Sequence, residues 1–290
     1  MTTHISNLTP GAAAAPDSQF FSFGRLTLLF QKKLAENWRT LLLSCAGLLA
    51  FLAVFGIIFA NESYYEGIQQ EYYSSHSAKT FTTFIVMVFF IAGAYVASIS
   101  FGSMAGGAPT LATLMAPASQ FEKYLMRWLV AVPLFILLFF FFAFIADWIR
   151  VCYAELRFEM DVRPIPWFKL AFRPDDAGYF DGASDFVMMM FVCMQSFFFL
   201  GAIVWPKRSM VKTFVTVVAV SFIYFWAMFW IVEIFKPDSP CYYAVPAIRE
   251  ELDDPRIITG LADILLAIVA LFNYWLTYRR FREAEIINRW

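Results

Sequence analysis

The chain has 290 residues, of which 60% are hydrophobic and 16% are charged, and it contains 35 Phe, 12 Met and 9 Trp. Soluble globular proteins have about 45–50% apolar and about 25% charged residues, so the composition excludes a soluble fold and a disordered chain. The balance of 22 basic and 23 acidic residues excludes a generally basic nucleic-acid-binding protein, and the four cysteines are too few for a disulfide scaffold. The composition therefore predicts a multi-pass membrane protein.

The N-terminal part of the chain consists of a tail and an amphipathic segment. Residues 1–18 are polar and rich in Thr, Ala and Pro, and we predict a disordered cytoplasmic tail there. Over residues 20–39, apolar side chains cover one half of a helical wheel and charged side chains the other half, with Lys33 as the exception. This pattern predicts a basic amphipathic helix in the membrane interface. It is either a simple positive anchor or an elbow helix that packs beside a cytoplasmic partner.

Six apolar runs are long enough to cross the bilayer core, which requires about 20 helical residues. None of them alternates polar and apolar residues as a membrane-spanning strand would. The predicted fold class is therefore an all-α membrane protein, with a single six-helix transmembrane domain over residues 19–290. The predicted spans are residues 41–60, 81–101, 128–149, 186–205, 213–235 and 257–278.

Six spans place both termini on the same side of the membrane, and Lys and Arg are concentrated on that side. The tight connection between the fourth and fifth runs alone contains Lys207, Arg208 and Lys212. Because cytoplasmic loops are enriched in Lys and Arg, we predict that both termini are cytoplasmic. The longest loop on the opposite side, residues 150–185, is too polar for the bilayer and is a candidate for a small cap over the outer end.

The loop between the second and third runs, residues 102–127, carries the most informative pattern. A Gly- and Pro-containing stretch ends the second helix, and Pro117 stops a short segment, residues 110–116, that can form about two helical turns. Ser119 and Glu122 have the spacing of a capping box that starts a new helix. From these residues alone, the loop is either a short helix held across the cytoplasmic face or only a well-formed hairpin.

This loop resembles the first cytoplasmic loop of ABC-2 type transporter permeases. The shared pattern over residues 110–127 is Thr-Leu-x-x-Leu-Met-x-Pro-x-Ser-x-x-Glu-Lys-x-Leu-x-Arg, in a version similar to that of permease-like proteins from Bacteroidetes-type bacteria. The resemblance implies six helices, an interfacial elbow helix and a coupling helix that docks on a separate ATPase. The residues that it implies for the ATPase-coupling loop are Leu114, Met115, Pro117, Ser119, Glu122 and Arg127.

The resemblance implies that the chain is the permease subunit of an ATP-driven ABC transporter, by the family's habit an exporter, in a bacterial cytoplasmic (inner) membrane. The expected partners are a nucleotide-binding ATPase, a second copy of the chain or a related permease, and membrane lipid. The chain has no Gly-x-x-x-x-Gly-Lys-Ser/Thr phosphate loop, so we expect ATP and Mg²⁺ on the partner, and neither a cofactor nor an enzymatic activity in the chain itself. The alternative is a non-transporting membrane scaffold or sensor that recruits a cytoplasmic partner.

The sequence departs from this family between the fifth and sixth spans, where members usually place short re-entrant helices. Residues 236–256 contain four acidic residues close together, and charges at that density are too costly for the bilayer interior. We therefore expect this stretch to lie outside the lipid.

Polar residues near or within the spans are further candidates. Asp263 lies about two turns into the sixth span, as either an interhelical polar contact or a substrate- or proton-linked site. Asp147 lies at a span end, from which it can reach the headgroups, and we predict a structural role for it. Cys152 and Cys241 both fall on the outer side and are a possible disulfide if that side is an oxidising periplasm. The polar residues for which we predict hydrogen bonds between helices are Gln195, Ser196 and Asn273.

Overall fold

All regular secondary structure in the part of the chain that the structure describes is helical. The structure is a computed structural model, and its described residues are 21–65, 70–104, 118–159, 162–165, 167, 184–205, 208–234 and 255–287. The helices are α1 (Phe23–Tyr65), α2 (Gln70–Ile99), α3 (Gln120–Leu129), α4 (Phe135–Phe158), α5 (Ser184–Val204), α6 (Ser209–Ile234) and α7 (Pro255–Ile287). A 3₁₀ turn, Gly102–Met104, follows α2, and a π-helical turn, Val130–Leu134, joins α3 to α4. The predicted all-helical class is confirmed.

Each of the six predicted spans lies within a helix or helical rod and overruns its end by no more than two residues, although several helices extend well beyond the predicted bounds. Within the described ranges, four helices are long and apolar enough to cross a membrane: Phe23–Tyr65, His76–Ile99, Gln120–Phe158 and Phe186–Val204. The chain is therefore a multi-pass helical membrane protein. Helices α6 and α7 are present where the fifth and sixth spans are predicted, but their crossing of the membrane and the cytoplasmic position of the termini stay predictions.

The amphipathic segment and the first span form a single helix, which differs from the predicted separate elbow helix. Helix α1 has 43 residues and is about 65 Å long at 1.5 Å per residue, about twice the thickness of the bilayer core. No Gly or Pro occurs between Arg25 and Ala46, so nothing in this stretch breaks the backbone hydrogen-bond ladder. The segment is helical as predicted, and it continues directly into the span.

The third span is interrupted by the π-helical turn, which contains Pro133. Proline cannot donate a backbone hydrogen bond and its ring crowds the preceding turn, and a π turn is one way in which a helix accommodates such a residue. The N–H of Phe135 donates to the carbonyl of Val132, and the carbonyl of Ala131 accepts a hydrogen bond from the Gln195 side chain at 2.6 Å. A side chain of α5 thus supplies a donor at the irregular turn, as membrane helices require.

The helices pack through two aromatic clusters. Helix α5 contacts α2, α6 and α7, whereas α1 contacts α2 and α4. The first cluster joins α1, α2, α4 and α5, and its tightest ring contact is the stacked pair Phe89–Phe191, with ring centroids 3.8 Å apart. The second joins α2, α3, α5 and α7 around Phe101, Phe199 and Phe281. Large rings from α2, α3, α4, α5 and α7 therefore fill the interior.

Gly93 sets the separation of α2 and α5, and replacing it tests this packing. A Cβ atom at position 93 would overlap the ring of Phe191 and lie 3.3 Å from the ring of Phe135, and Phe191 is already stacked on Phe89. We expect Gly93→Ala to lower the free energy of unfolding by about 1–3 kcal/mol, measured by thermal or denaturant unfolding in detergent. The matched control is Gly47→Ala in α1, because nothing lies within 4 Å of its added Cβ. Equal losses in both variants would contradict the predicted overlap.

Candidate functional site

Four helix ends meet at one end of the bundle, called here the basic end. They are the beginning of α1, the end of α2, the beginning of α3 and the end of α7. The ring of Phe121 in α3 lies 6.0 Å from that of Phe21, just before α1, and 6.0 Å from that of Tyr278 in α7. The ring of Phe101, just after α2, lies 5.8 Å from that of Phe281 in α7. The helix that begins at the predicted coupling loop is therefore packed among three other helix ends.

Glu122 is the polar centre of the basic end. Its side chain is fully buried, its Oε1 accepts a hydrogen bond from the Ser22 N–H at 2.7 Å, and its Oε2 accepts one from the Ser119 N–H at 2.9 Å. The Ser119 hydroxyl accepts a hydrogen bond from the Glu122 N–H at 3.2 Å, which confirms the predicted capping box. The Arg25 guanidinium lies 3.3 Å from Oε1. The same carboxylate thus starts α3 and ties it to the beginning of α1.

The Glu122 carboxyl is held in its ionised form. It lies before the apolar run that starts at Trp128 and so outside the predicted span. Burial by itself raises the pKa of Glu122, but the N–H groups of Ser22 and Ser119 and the positive charge of Arg25 outweigh burial and hold the pKa below its ordinary value. The joint between α1 and α3 therefore contains a permanent negative charge near neutral pH.

Arg127, one turn further along α3, is held between two aromatic rings. Its guanidinium carbon lies 5.0 Å from the ring centre of Phe101 and 5.3 Å from that of Phe281, and its side chain is buried. Cation–π contacts of this kind contribute about 2 kcal/mol when they are desolvated. The hydroxyl of Tyr124 donates a hydrogen bond to the carbonyl of Tyr274 at 2.8 Å. Through these residues α3 is fastened to α2 and α7.

Of the six predicted coupling-loop residues, the structure brings Ser119, Glu122 and Arg127 together in α3 and its N-cap. Glu122 and Arg127 are buried against their own chain, so their side chains hold α3 in place and are not available to a docking protein. The other three, Leu114, Met115 and Pro117, lie outside the described residues, as does most of the predicted outer cap.

A buried ion pair lies at the opposite end of the bundle, called here the distal end. Asp147 and Arg150 of α4 are both fully buried. Arg150 Nε donates to Asp147 Oδ1 at 2.9 Å, and Arg150 Nη2 lies 2.8 Å from the same oxygen. Arg150 Nη1 donates to the hydroxyl of Ser77 in α2 at 3.0 Å, and the guanidinium carbon lies 5.7 Å from the ring centre of Phe81. Removing two charges from water is costly, so this pair is a candidate functional feature.

The second oxygen of Asp147 accepts a hydrogen bond from a short stretch of the predicted outer loop, called here the distal segment (residues 162–165 and Trp167). The N–H of Ile165 donates to Asp147 Oδ2 at 2.6 Å. Ile165 and Trp167 are each only 2% exposed and belong to the first aromatic cluster, with the Trp167 ring edge-on to that of Phe81 at 6.4 Å. The distal segment is therefore inserted into the bundle and does not lie on top of it.

The sequence interpretation of Asp147 as a residue that reaches the headgroups is wrong, because its side chain has no exposed surface. Asp147 and Arg150 are three residues apart on a helix, a spacing that places opposite charges on one face. This three-residue spacing was the signal in the sequence that could have indicated the ion pair. It could not show burial, because the covering residues Ser77 and Ile165 are distant in sequence.

The remaining predicted polar residues have clear positions. The Asn273 side-chain amide in α7 donates to the hydroxyl of Ser196 in α5 at 3.0 Å, and with the bond from Gln195 to Ala131 this confirms the predicted hydrogen bonds between helices. Asp263 is half-buried on α7. Cys152 is exposed on α4, and its predicted partner lies outside the described residues, so the disulfide with Cys241 stays a prediction. Among the residues with described side chains, no three His, Cys, Asp or Glu come together as metal ligands would.

Comparison of the sequence with protein-family models and with curated proteins, and of the structure with solved structures, finds no match.

Proposed function

We propose that this chain is the transmembrane permease subunit of an ATP-driven transporter, powered by a separate ATPase that docks on the loop of residues 102–127. The observation that carries this proposal is the joint at Glu122. A buried carboxylate fastens the helix that follows the loop to the beginning of α1, and it does so at the end of the bundle where basic residues collect. A force applied to that loop would therefore act on two long membrane helices at once.

The geometry of the third span supports transmission over a long distance. Helix α3, the π turn and α4 form one rod of 39 residues from Gln120 to Phe158, about 58 Å at 1.5 Å per residue. The rod has Glu122 and Arg127 near its first end and the Asp147–Arg150 pair near its other end. Tilting α3 at the basic end would therefore move groups at the distal end, which is what alternating access requires.

The assembly follows from the resemblance of the loop to ABC-2 type permeases. Two permease subunits, identical or related, would pair over two ATPase subunits that bind ATP and Mg²⁺, and the complex would act as an exporter in a bacterial inner membrane. The second candidate function is a membrane scaffold or sensor that uses the same basic end to recruit a cytoplasmic partner without transport. Either partner would dock beside the packed beginning of α3.

The two functions are separated by purifying the full chain from its native cell in mild detergent and identifying what accompanies it by mass spectrometry. A stoichiometric protein with a phosphate loop supports the permease. A homo-oligomer without a nucleotide-binding partner, seen in several detergents, contradicts the permease and favours the scaffold or sensor.

The coupling role of the joint is tested by Glu122→Gln in the purified complex. We expect the stimulation of the partner's ATPase to fall about tenfold while the complex still assembles, because the amide is isosteric but cannot hold Arg25 by charge. The matched control is Glu283→Gln, which alters a glutamate on the exposed surface of α7 and should leave stimulation unchanged. Unchanged stimulation in Glu122→Gln would count against the coupling role.

A further inference from the structure

The distal end of the bundle is closed by the chain's own loop. Ile165 and Trp167 occupy space among α1, α2 and α4, where they form one apolar cluster with Leu52, Phe81 and Phe139. Val162, at the start of the distal segment, packs against Val151 and Ala154 near the end of α4. Helix α4 ends at Phe158, and the next residue, Glu159, has a left-handed backbone with φ 54°. The segment thus fills the position that an opening at this end would need.

The hydrogen bond from the Ile165 N–H to Asp147 is not one that a permanently packed apolar core requires. Apolar packing alone is enough to bury an isoleucine and a tryptophan, whereas the segment here also depends on a buried carboxylate. That carboxylate is paired with Arg150 on the same helix, and Arg150 in turn donates a hydrogen bond to Ser77 of α2. A movement of α4 relative to α2 would break the bond from Arg150 to Ser77, which is one of the contacts that orient the Asp147–Arg150 pair.

We infer that the distal segment is the outer gate of the transport pathway, that Asp147 latches it through the N–H of Ile165, and that Arg150 is the positioning residue that orients Asp147. The inference rests on the proposed function and deepens it, because it names the distal end as the place where the ATPase-driven movement opens the bundle. In the closed state the gate is inserted and the latch is made. Separation of α4 from α2 takes Ser77 away from Arg150, so that the Asp147–Arg150 pair reorients, the latch breaks and Ile165 and Trp167 leave the bundle.

The gate is tested by the accessibility of a cysteine at position 165. The full chain, with its own cysteines replaced by serine or alanine and Ile165→Cys introduced, is placed in lipid nanodiscs and labelled with a membrane-impermeant maleimide. Pro164→Cys is the matched control, because Pro164 is the residue next to Ile165 and its side chain is exposed. We expect position 165 to react at least about tenfold more slowly than position 164 in the resting state, since the parent side chain is buried.

The latch is tested with Asp147→Ala combined with Arg150→Met. This double variant removes the latch without leaving an unpaired buried charge, so it tests the latch in a folded protein. We expect the labelling rate at position 165 to approach that at position 164. Fast labelling at position 165 in the resting parent, or equal protection with and without Asp147, would overturn the latch.

The link to transport is tested by adding the co-purified ATPase with ATP and vanadate to the Ile165→Cys protein. We expect the labelling rate at position 165 to rise about tenfold, with no change at position 164. If the ATPase is stimulated by the chain but the rate at position 165 does not change, the gate is overturned and the permease stands. If no ATPase accompanies the chain, the permease and the gate are both overturned, whereas the latch is still decided by the double variant.

Discussion

Asp147→Ala is expected to lower the free energy of unfolding by about 3–5 kcal/mol, because it leaves the buried guanidinium of Arg150 without its carboxylate. The N–H of Ile165 loses its acceptor in the same variant, so the distal segment should also detach from the bundle. The measurement is denaturant or thermal unfolding of the purified chain in detergent. A loss below about 1 kcal/mol, typical of an exposed ion pair, would show that water reaches this pair.

A double-mutant cycle separates the coupling energy between Asp147 and Arg150 from the individual effects of the two substitutions. We expect Asp147→Ala combined with Arg150→Met to be more stable than Asp147→Ala alone, because the second substitution removes the unpaired charge. The matched control is the exposed pair Arg280–Glu283, which has the same three-residue spacing and a distance of 3.3 Å. Its removal should cost less than about 1 kcal/mol. Additive losses at Asp147 and Arg150 would contradict the proposed coupling.

Glu122→Ala is expected to lower the free energy of unfolding by about 2–3 kcal/mol, because two backbone N–H groups and Arg25 lose a charged acceptor. Ser119→Ala should cost about 1 kcal/mol, since it removes only the capping hydroxyl. Both values come from unfolding experiments near neutral pH. Equal losses in the two variants would mean that the contacts to Ser22 and Arg25 contribute nothing.

The same joint predicts a dependence on pH. The pKa of Glu122 is lower in the folded chain than in the unfolded chain, so the folded state binds fewer protons and this stabilisation is fully present above the unfolded value of about 4.3. It is lost as the pH falls below that value through the folded pKa. The difference in stability between the parent and Glu122→Gln should therefore be constant from pH 7 to about pH 5 and shrink at lower pH. A difference that does not change with pH would show that the pKa of Glu122 is the same in the folded and unfolded chains.

Local sequence signals predicted the parts of this protein that depend on nearby residues. The capping box at Ser119 and Glu122 is correct because its partners are three residues apart. The interhelical contact of Asn273 with Ser196 could be predicted only as a type, since a polar side chain within a span needs a partner but does not indicate which one. The position of Arg127 between two rings could not be predicted, because Phe101 follows α2 and Phe281 lies in α7, both distant from Arg127 in the sequence.

The sequence by itself determined the membrane class and the helical fold, because a hydrocarbon environment leaves few ways to satisfy the backbone and sets the length of each apolar run. Only the tertiary structure decided which charges are buried and what they hold. Ser22 and Glu122 are 100 residues apart, and Ile165 meets Asp147 across a helix end. Whether a side chain is buried depends on which other segments cover it, and a local sequence pattern does not contain that information. Both proposed control points, the joint at Glu122 and the latch at Asp147, are therefore products of packing between distant parts of the chain.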